Sequence, residues 1–438
     1  MNNFCLIGYP LGHSMSPIIH KELFKIKNID ASYNLNEIAP ENLKIEYKKL
    51  KKLDGFNVTI PHKTGIIPML DGLSQRAQLF GAVNTVKIEN GKATGHNTDC
   101  FGFLRALEMA EIDLGGKVLL CGSGGVSRMF AFESILAGAD LTIAVRDSSM
   151  PAANLIKSEI KDKLDKQAKV VKLGDVEGEF DLLINGTPVG MFPKVDASVL
   201  PKEKVQKCKA VFDAVYNPQE TLILKYAKEA GIKYSNGLSM LVWQAAVAQE
   251  IWFDTEFTMD DIKKVLKITQ EEMEKNMNII LCGFMGSGKT TIGHELARMT
   301  GRKFVDTDNM VENEQGTQIK NIFSEYGEDF FRELEYQACK KVASMQNCVV
   351  STGGGAMTYQ RNVDAVKNSG KIIFLDVDFN IICERIGDTS TRPLFQDKEK
   401  AKSLYDERKS KYLACADIVI DGNKSAKIVA SEIAKMFK

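Results

Sequence analysis

The stretch from Ile279 to Thr291 constrains this chain more than any other. Ile279, Ile280, Leu281 and Cys282 read as a strand, and they run into Gly283-Phe284-Met285-Gly286-Ser287-Gly288-Lys289-Thr290-Thr291 before a helical pattern begins. A strand feeding a G-x-x-x-x-G-K-T turn and then a helix turns successive backbone N–H groups and a helix N-terminus towards anionic oxygens. Gly283, Gly286 and Gly288, with Ser287 between them, let the backbone wrap a polyphosphate. Lys289 reaches the outer phosphates, and the Thr290 hydroxyl, with Thr291 beside it, is placed to serve Mg²⁺. In small single-domain kinases this motif lies near the N-terminus, but here about 280 residues precede it, room for a fold complete in itself.

A length of 438 residues implies two or three domains. Lys+Arg and Asp+Glu both total 57, so no basic excess points to nucleic acid or an anionic membrane. No apolar run approaches membrane length, and the chain opens directly in a strand. The nine cysteines are scattered without a C-x-x-C pair, mostly in apolar runs, and the five histidines are too dispersed for a zinc site. The expectation is a cytoplasmic protein with small-molecule partners.

Taken in order, residues 4–9 read as a strand followed by a polar turn, in which Ser14 and Ser16 either face a common ligand or cap the next helix. A helix over 41–53 leads to a strand over 56–60, and Lys63 stands just past its end, where α/β enzymes place working residues. After a hairpin turned at Asn90-Gly91, Asp99 can cap a helix over 101–110 or pair with Lys63 as an acid–base couple. Residues 117–122 form a second apolar strand entering Gly122-Ser123-Gly124-Gly125-Val126-Ser127-Arg128, a loop suited to a dinucleotide pyrophosphate. The next strand ends in Val145-Arg146-Asp147; an arginine there accommodates a 2′-phosphate, whereas an acid favours the ribose hydroxyl of NAD. Alternating strands and helices continue to Gly237, where an apolar helix carrying Gln244 begins. Beyond the phosphate loop, Asp306 and Asp308 end a strand, one acid near Mg²⁺ and the other free to meet an acceptor hydroxyl. Arg332 and Glu335 share a helix face, and Gly353-Gly354-Gly355 makes a backbone nest for a small anion. Arg385, residues 388–390, Arg392 and Pro393 form a polar segment of the kind that covers a site, and Arg408 lies on a later helix.

These motifs, in this order, resemble two families. Residues 1 to about 270 are similar to shikimate dehydrogenases: G-x-P-x-x-H-S-x-S-P (8–17), N-V-T-I-P-x-K (57–63), G-A-V-N-T (81–85), G-x-N-T-D (95–99), the glycine loop and G-x-x-M-L-x-x-Q (237–244). Residues from about 277 are similar to shikimate kinases, through F-x-D-x-D (304–308), F-R-x-x-E (331–335), the triple glycine, R-P-L (392–394) and E-R-x-x-x-Y (407–412).

The resemblance implies a substrate domain (1–102 with 238–275), a Rossmann domain for NADP (103–237) and a P-loop kinase domain with a parallel sheet and helical lid (277–438). It implies a catalytic Lys63–Asp99 pair, with Ser14, Ser16, Thr59, Asn84, Tyr216 and Gln244 around the cyclohexene substrate. Gly122, Gly124, Gly125, Ser127, Arg128, Arg146 and Gly237 would hold NADPH. In the kinase part, Asp308 would meet the shikimate hydroxyl, Arg332, Arg408, Gly354 and Gly355 its ring and carboxylate, Arg392 the phosphates and Arg385 the adenine. Thr290 and Asp306 would hold Mg²⁺ beside ATP. Two departures bear on the cofactor: Val145-Arg146-Asp147 stands where the family has Asn-Arg-Thr or Asn-Arg-Ser, and no basic residue follows among 148–150. Two other readings are an NAD-dependent quinate dehydrogenase joined to a different hydroxyl kinase, and a regulator that binds these ligands without turnover.

Overall fold

The computed structural model describes residues 1–11, 14–191, 195–367, 369–386, 395 and 397–437. It divides into two units, Met1–Gln270 and Glu271–Lys438.

The first unit opens with a mixed sheet of β1 (Asn2–Gly8), β2 (Ala31–Glu37), β3 (Gly55–Val58), β4 (Gly72–Leu73), β5 (Thr85–Glu89) and β6 (Lys92–His96), ordered β2-β1-β3-β5-β6-β4. β1 is parallel to both neighbours, whereas β5 pairs antiparallel with β3 and β6. The β5–β6 hairpin turns at Asn90-Gly91, both with positive φ, as a two-residue turn that follows the strand twist requires. The helix expected over 41–53 is shorter: a 3₁₀ turn at Pro40–Asn42 leads into Leu43–Leu50.

A second sheet contains β7 (Lys117–Cys121), β8 (Asp140–Val145), β9 (Lys169–Lys172), β10 (Phe180–Asn185), β11 (Cys208–Asp213) and β12 (Lys233–Asn236), all parallel and ordered β12-β11-β10-β7-β8-β9. The chain enters at the middle and the order reverses between β7 and β10. Such a reversal marks the place, beyond the C-terminal strand ends, where open α/β sheets bind ligands. Both faces are covered: Phe103, Phe130 and Phe212 belong to one apolar cluster, Leu119, Leu183 and Val211 to the other. This accounts for the near-continuous apolar runs of the central strands.

After β12 the apolar helix Gly237–Phe253 packs along helix Asp99–Met109, which follows β6. Gly102 sets their separation: a Cβ there would lie 2.7 Å from Met240 O and 2.9 Å from Gln244 Cβ. The missing side chain brings Gln244 up to the first residues of the other helix.

The second unit is built on β13 (Asn278–Cys282), β14 (Lys303–Asp306), β15 (Cys348–Ser351), β16 (Gly370–Asp376) and β17 (Ile418–Asp421), parallel throughout and ordered β14-β15-β13-β16-β17. β13 is central and fully buried, and its side chains alternate between two cores, Ile280 and Cys282 on one face, Ile279 and Leu281 on the other. Among the described residues, no helix is long and apolar enough to cross a membrane.

Candidate functional site

In the first unit, Lys63 lies on the single-turn helix His62–Gly65 after β3, and Asp99 is the first residue of helix Asp99–Met109. Lys63 Nζ donates to Asp99 Oδ2 at 2.6 Å. The helix N-cap is Thr98, so the Asp99 carboxylate pairs with the lysine rather than capping. Asn84 holds the other oxygen: its Nδ2 donates to Asp99 Oδ1 at 2.8 Å, while its Oδ1 accepts from the Thr98 N–H at 2.7 Å. These two bonds fix the amide's orientation. Behind it, Asn57 Nδ2 donates to Asn84 O at 3.2 Å and to Thr85 Oγ1 at 2.9 Å, and Asn57 Oδ1 accepts from the Tyr33 hydroxyl at 2.7 Å. Asn57, the first residue of the N-V-T-I-P-x-K motif, therefore braces Asn84 from behind, a role that spacing in the sequence does not reveal. Gln244 Oε1 stands 3.5 Å from Asn84 Nδ2. The lysine and aspartate side chains keep 31% and 19% exposure, so the pair is open to a ligand on one side.

Ser14 Oγ accepts from the Ser16 N–H at 3.2 Å, and helix Ser16–Ile26 begins with Met15 at its N-cap and no side-chain cap bond. The two serines therefore flank a helix start without capping it. Thr59 is half-buried just beyond β3, and its N–H donates to Ile7 O at 2.9 Å. Tyr216 is half-buried on the loop after β11, and burial pushes its phenol above its ordinary value. That loop is organised by Asp213, which accepts from Thr221 Oγ1 at 2.5 Å, Asn185 Nδ2 at 2.9 Å and the Val215 N–H at 3.0 Å. Burial raises the Asp213 carboxyl to about 6, against the pull of these three donors.

The loop after β7 fits a dinucleotide. Gly124 stands at the N-cap of helix Gly125–Leu136, and nothing lies within 4 Å of where a Cβ would project from Gly124 or Gly125. Gly122 lies at the strand exit, and Gly237 packs against the Ala214 backbone. Ser127 stands where the motif usually has its third glycine; it is buried and its hydroxyl donates to Gly186 O at 2.9 Å. Arg128 donates through Nε to Glu159 Oε2 at 2.6 Å and lies over the Phe132 ring, so its guanidinium is engaged within the protein. Arg146, just past β8, is exposed.

In the second unit a cavity of about 520 Å³ opens at the C-terminal end of β13. Gly286, Gly288, Lys289, Thr290, Thr291, Asp306, Asp308, Gly354 and Arg385 line it. Lys289 is buried, with Nζ donating to Gly283 O at 2.8 Å and Phe284 O at 3.0 Å. Thr290 Oγ1 donates to Asp306 Oδ2 at 3.1 Å, while Asp306 Oδ1 caps the next helix through the N–H groups of Asp308 and Asn309. A hydroxyl paired with the one carboxylate oxygen that is not engaged in capping suits a hard cation that keeps most of its waters. Asp308 is raised to about 6 by burial and by the neighbouring Asp306 charge. Gly353 lets it approach: a Cβ there would sit 2.5 Å from Asp308 Oδ1.

Arg332 is held by Glu328 at 2.9 Å and by the buried Glu335 at 3.1 Å, and it lies beside Gly355. Arg408 NH1 and the Tyr412 hydroxyl both donate to Gly354 O. Ser287 O accepts from Arg385 NH1 at 3.3 Å. Sequence reasoning missed Lys424 and Ser425, which also line the cavity; they carry no motif, only a polar turn after the last strand. Arg392, with residues 388–390, Pro393 and Leu394, lies outside the described residues.

The family model for the shikimate dehydrogenase substrate binding domain matches residues 6–86. A shikimate dehydrogenase (NADP(+)) of Methanocaldococcus jannaschii is 41% identical over 275 residues, 60% of this chain and 96% of that protein. The chain belongs to the shikimate dehydrogenase family. The family model for shikimate kinase matches residues 285–438, so a kinase is joined to the dehydrogenase on one polypeptide. Solved relatives cover the dehydrogenase part. The shikimate 5-dehydrogenase of Listeria monocytogenes, in complex with shikimate and NAD, gives a TM-score of 0.57 at 35% identity over 61% of this chain and 96% of its own. That of Thermus thermophilus, in complex with NADP(H) and shikimate, gives 0.56 at 32% over 61% and 100%.

Proposed function

We propose that the two sites act in succession on one ring, reducing 3-dehydroshikimate to shikimate and then phosphorylating the shikimate 3-hydroxyl. NADPH supplies the hydride for the first reaction, and ATP with Mg²⁺ supplies the phosphoryl group for the second. The observation that carries the reading is the 2.6 Å contact between Lys63 and Asp99, open to the cleft. As the ketone oxygen gains charge, Lys63 Nζ gives it a proton, and Asp99, 2.6 Å away, orients the lysine. Asn84 keeps the carboxylate in place. Ser14, Ser16, Thr59, Tyr216 and Gln244 supply hydroxyl and amide groups for the ring's carboxylate and hydroxyls. Gly122, Gly124, Gly125 and Gly237 leave space for the cofactor.

In the kinase site the half-buried Asp308, with its raised affinity for a proton, takes the proton of the attacking hydroxyl. Arg332, Arg408 and the Gly354–Gly355 backbone hold the ring, and Thr290 and Asp306 hold Mg²⁺. Lys289, the loop N–H groups around Gly283, Gly286, Ser287, Gly288 and Thr291, and Arg392 neutralise phosphate charge. Arg385 serves the adenine end. Phosphoryl transfer depends mainly on such positioning and charge neutralisation. Residues 1–102 with 238–275 form the substrate domain, 103–237 the dinucleotide domain and 277–438 the kinase. Nine free cysteines, seven of them buried, support a reducing, cytoplasmic setting.

The test is kinetic. Lys63→Ala should lower dehydrogenase turnover far more than it weakens shikimate binding; equal losses in both would remove Lys63 as the acid–base group.

A further inference from the structure

We propose that Lys172, at the end of β9, completes the subsite for the 2′-phosphate of the dinucleotide by pairing with Asp147 and adding a second cation beside Arg146. The inference rests on placing the adenosine end of the cofactor beyond β8, at Arg146. β8 and β9 are parallel neighbours, and their register sets Val145 opposite Lys172. Lys172 is therefore level with the strand end from which Arg146 and Asp147 emerge. Its Nζ lies 2.8 Å from Asp147 Oδ1, and the two side chains are 55% and 75% exposed. Asp175, on the following turn, adds a more distant negative charge.

The chemistry follows from charge. A carboxylate at the end of this strand accepts a hydrogen bond from a ribose 2′-hydroxyl and repels a 2′-phosphate. Arg146 and Asp147 together carry no net charge, and Ser148, Ser149 and Met150 add none. Lys172 supplies the missing cation from the next strand. Paired with Asp147, it offsets the acid's preference for NAD, so that Arg146, Asp147 and Lys172 together carry one net positive charge, a planar fork and a point charge, beside a dianion.

The experiment is calorimetric titration of the full-length chain with NADP⁺ and, separately, NAD⁺. Lys172→Ala should weaken NADP⁺ by about five- to tenfold, the scale of one exposed charge-assisted contact, and leave NAD⁺ within about twofold. Lys172→Arg should keep NADP⁺ binding, and adding Asp147→Asn to Lys172→Ala should recover most of it. If Lys172→Ala weakens both dinucleotides equally, or neither, the assignment of Lys172 is overturned. Arg146→Ala separates the two levels. If it leaves NADP⁺ binding intact, the adenosine placement itself is wrong; if it weakens NADP⁺ while Lys172→Ala does not, only the Lys172 inference falls.

Discussion

The two sites prepare their charges in opposite ways. In the dehydrogenase cleft the reacting groups already touch each other: Lys63 is on Asp99, and Asp99 is on Asn84. In the kinase cavity the cations rest on protein atoms that a ligand must share or replace, Lys289 on the Gly283 and Phe284 carbonyls, Arg332 on Glu328 and Glu335, Arg408 on Gly354. The difference matches the chemistry. Proton transfer alongside hydride transfer needs one donor with a fixed partner, whereas phosphoryl transfer gathers charge around a substrate that brings its own.

The sharpest way to break this contrast is at Lys63. Lys63→Ala should cost the dehydrogenase about 10²–10⁴ in kcat, the usual contribution of a positioned acid–base group, and leave the kinase rate unchanged in the same preparation. A comparable loss in both reactions would mean that the substitution disturbs the whole chain. Next is Asp308→Asn, expected to lower kinase turnover by about a hundredfold with the dehydrogenase untouched. Its pH dependence sharpens the claim. The Asp308 carboxyl is raised to about 6 and must be ionised to act as a base, so kinase kcat/KM should climb as pH rises through that value. The Asn variant should lack that climb.

A smaller effect is expected at Glu335, which is buried against Arg332 and raised by that burial. Glu335→Gln loosens the arginine without removing it, so KM for shikimate in the kinase reaction should rise by about tenfold with kcat little changed. A fall in kcat at constant KM would instead place Glu335 in the chemistry. The smallest effect is at Asp213. Its folded-state affinity for a proton is raised, to about 6, so the stability it contributes is present at acid pH and lost as pH rises through that value. Asp213→Asn should therefore cost most thermal stability near pH 4, with the gap to the native chain narrowing above pH 6. Thermal unfolding across that range checks it, and a gap that widens with pH would contradict the assignment.

Motif residues were the legible part of the molecule. The phosphate loop, the glycine loop after β7, Lys63, Asp99 and Asp308 all sit at strand-to-helix junctions, where spacing in sequence translates directly into position. What sequence left open was how side chains are used once folded. Ser127 and Arg128 lie in the glycine loop, yet packing directs one to Gly186 and the other to Glu159. Asp147 read as a weakness for NADP because its partner, Lys172, comes from the next strand, 25 residues away in the chain and adjacent only through sheet register. Several strands were also not legible. β4 is two residues long, while β9 (Lys-Val-Val-Lys) and β12 (Lys-Tyr-Ser-Asn) are short, half-exposed sheet edges with little apolar pattern. β16 is the reverse case, a buried apolar run that periodicity alone does not distinguish from a buried helix segment.

The most direct test of the whole account is a single incubation of the purified chain with 3-dehydroshikimate, NADPH, ATP and Mg²⁺, followed by mass spectrometry of the small molecules. Shikimate 3-phosphate should accumulate, with one NADPH and one ATP consumed for each molecule formed. Recovery of unphosphorylated shikimate alone, or of unchanged 3-dehydroshikimate, would contradict it.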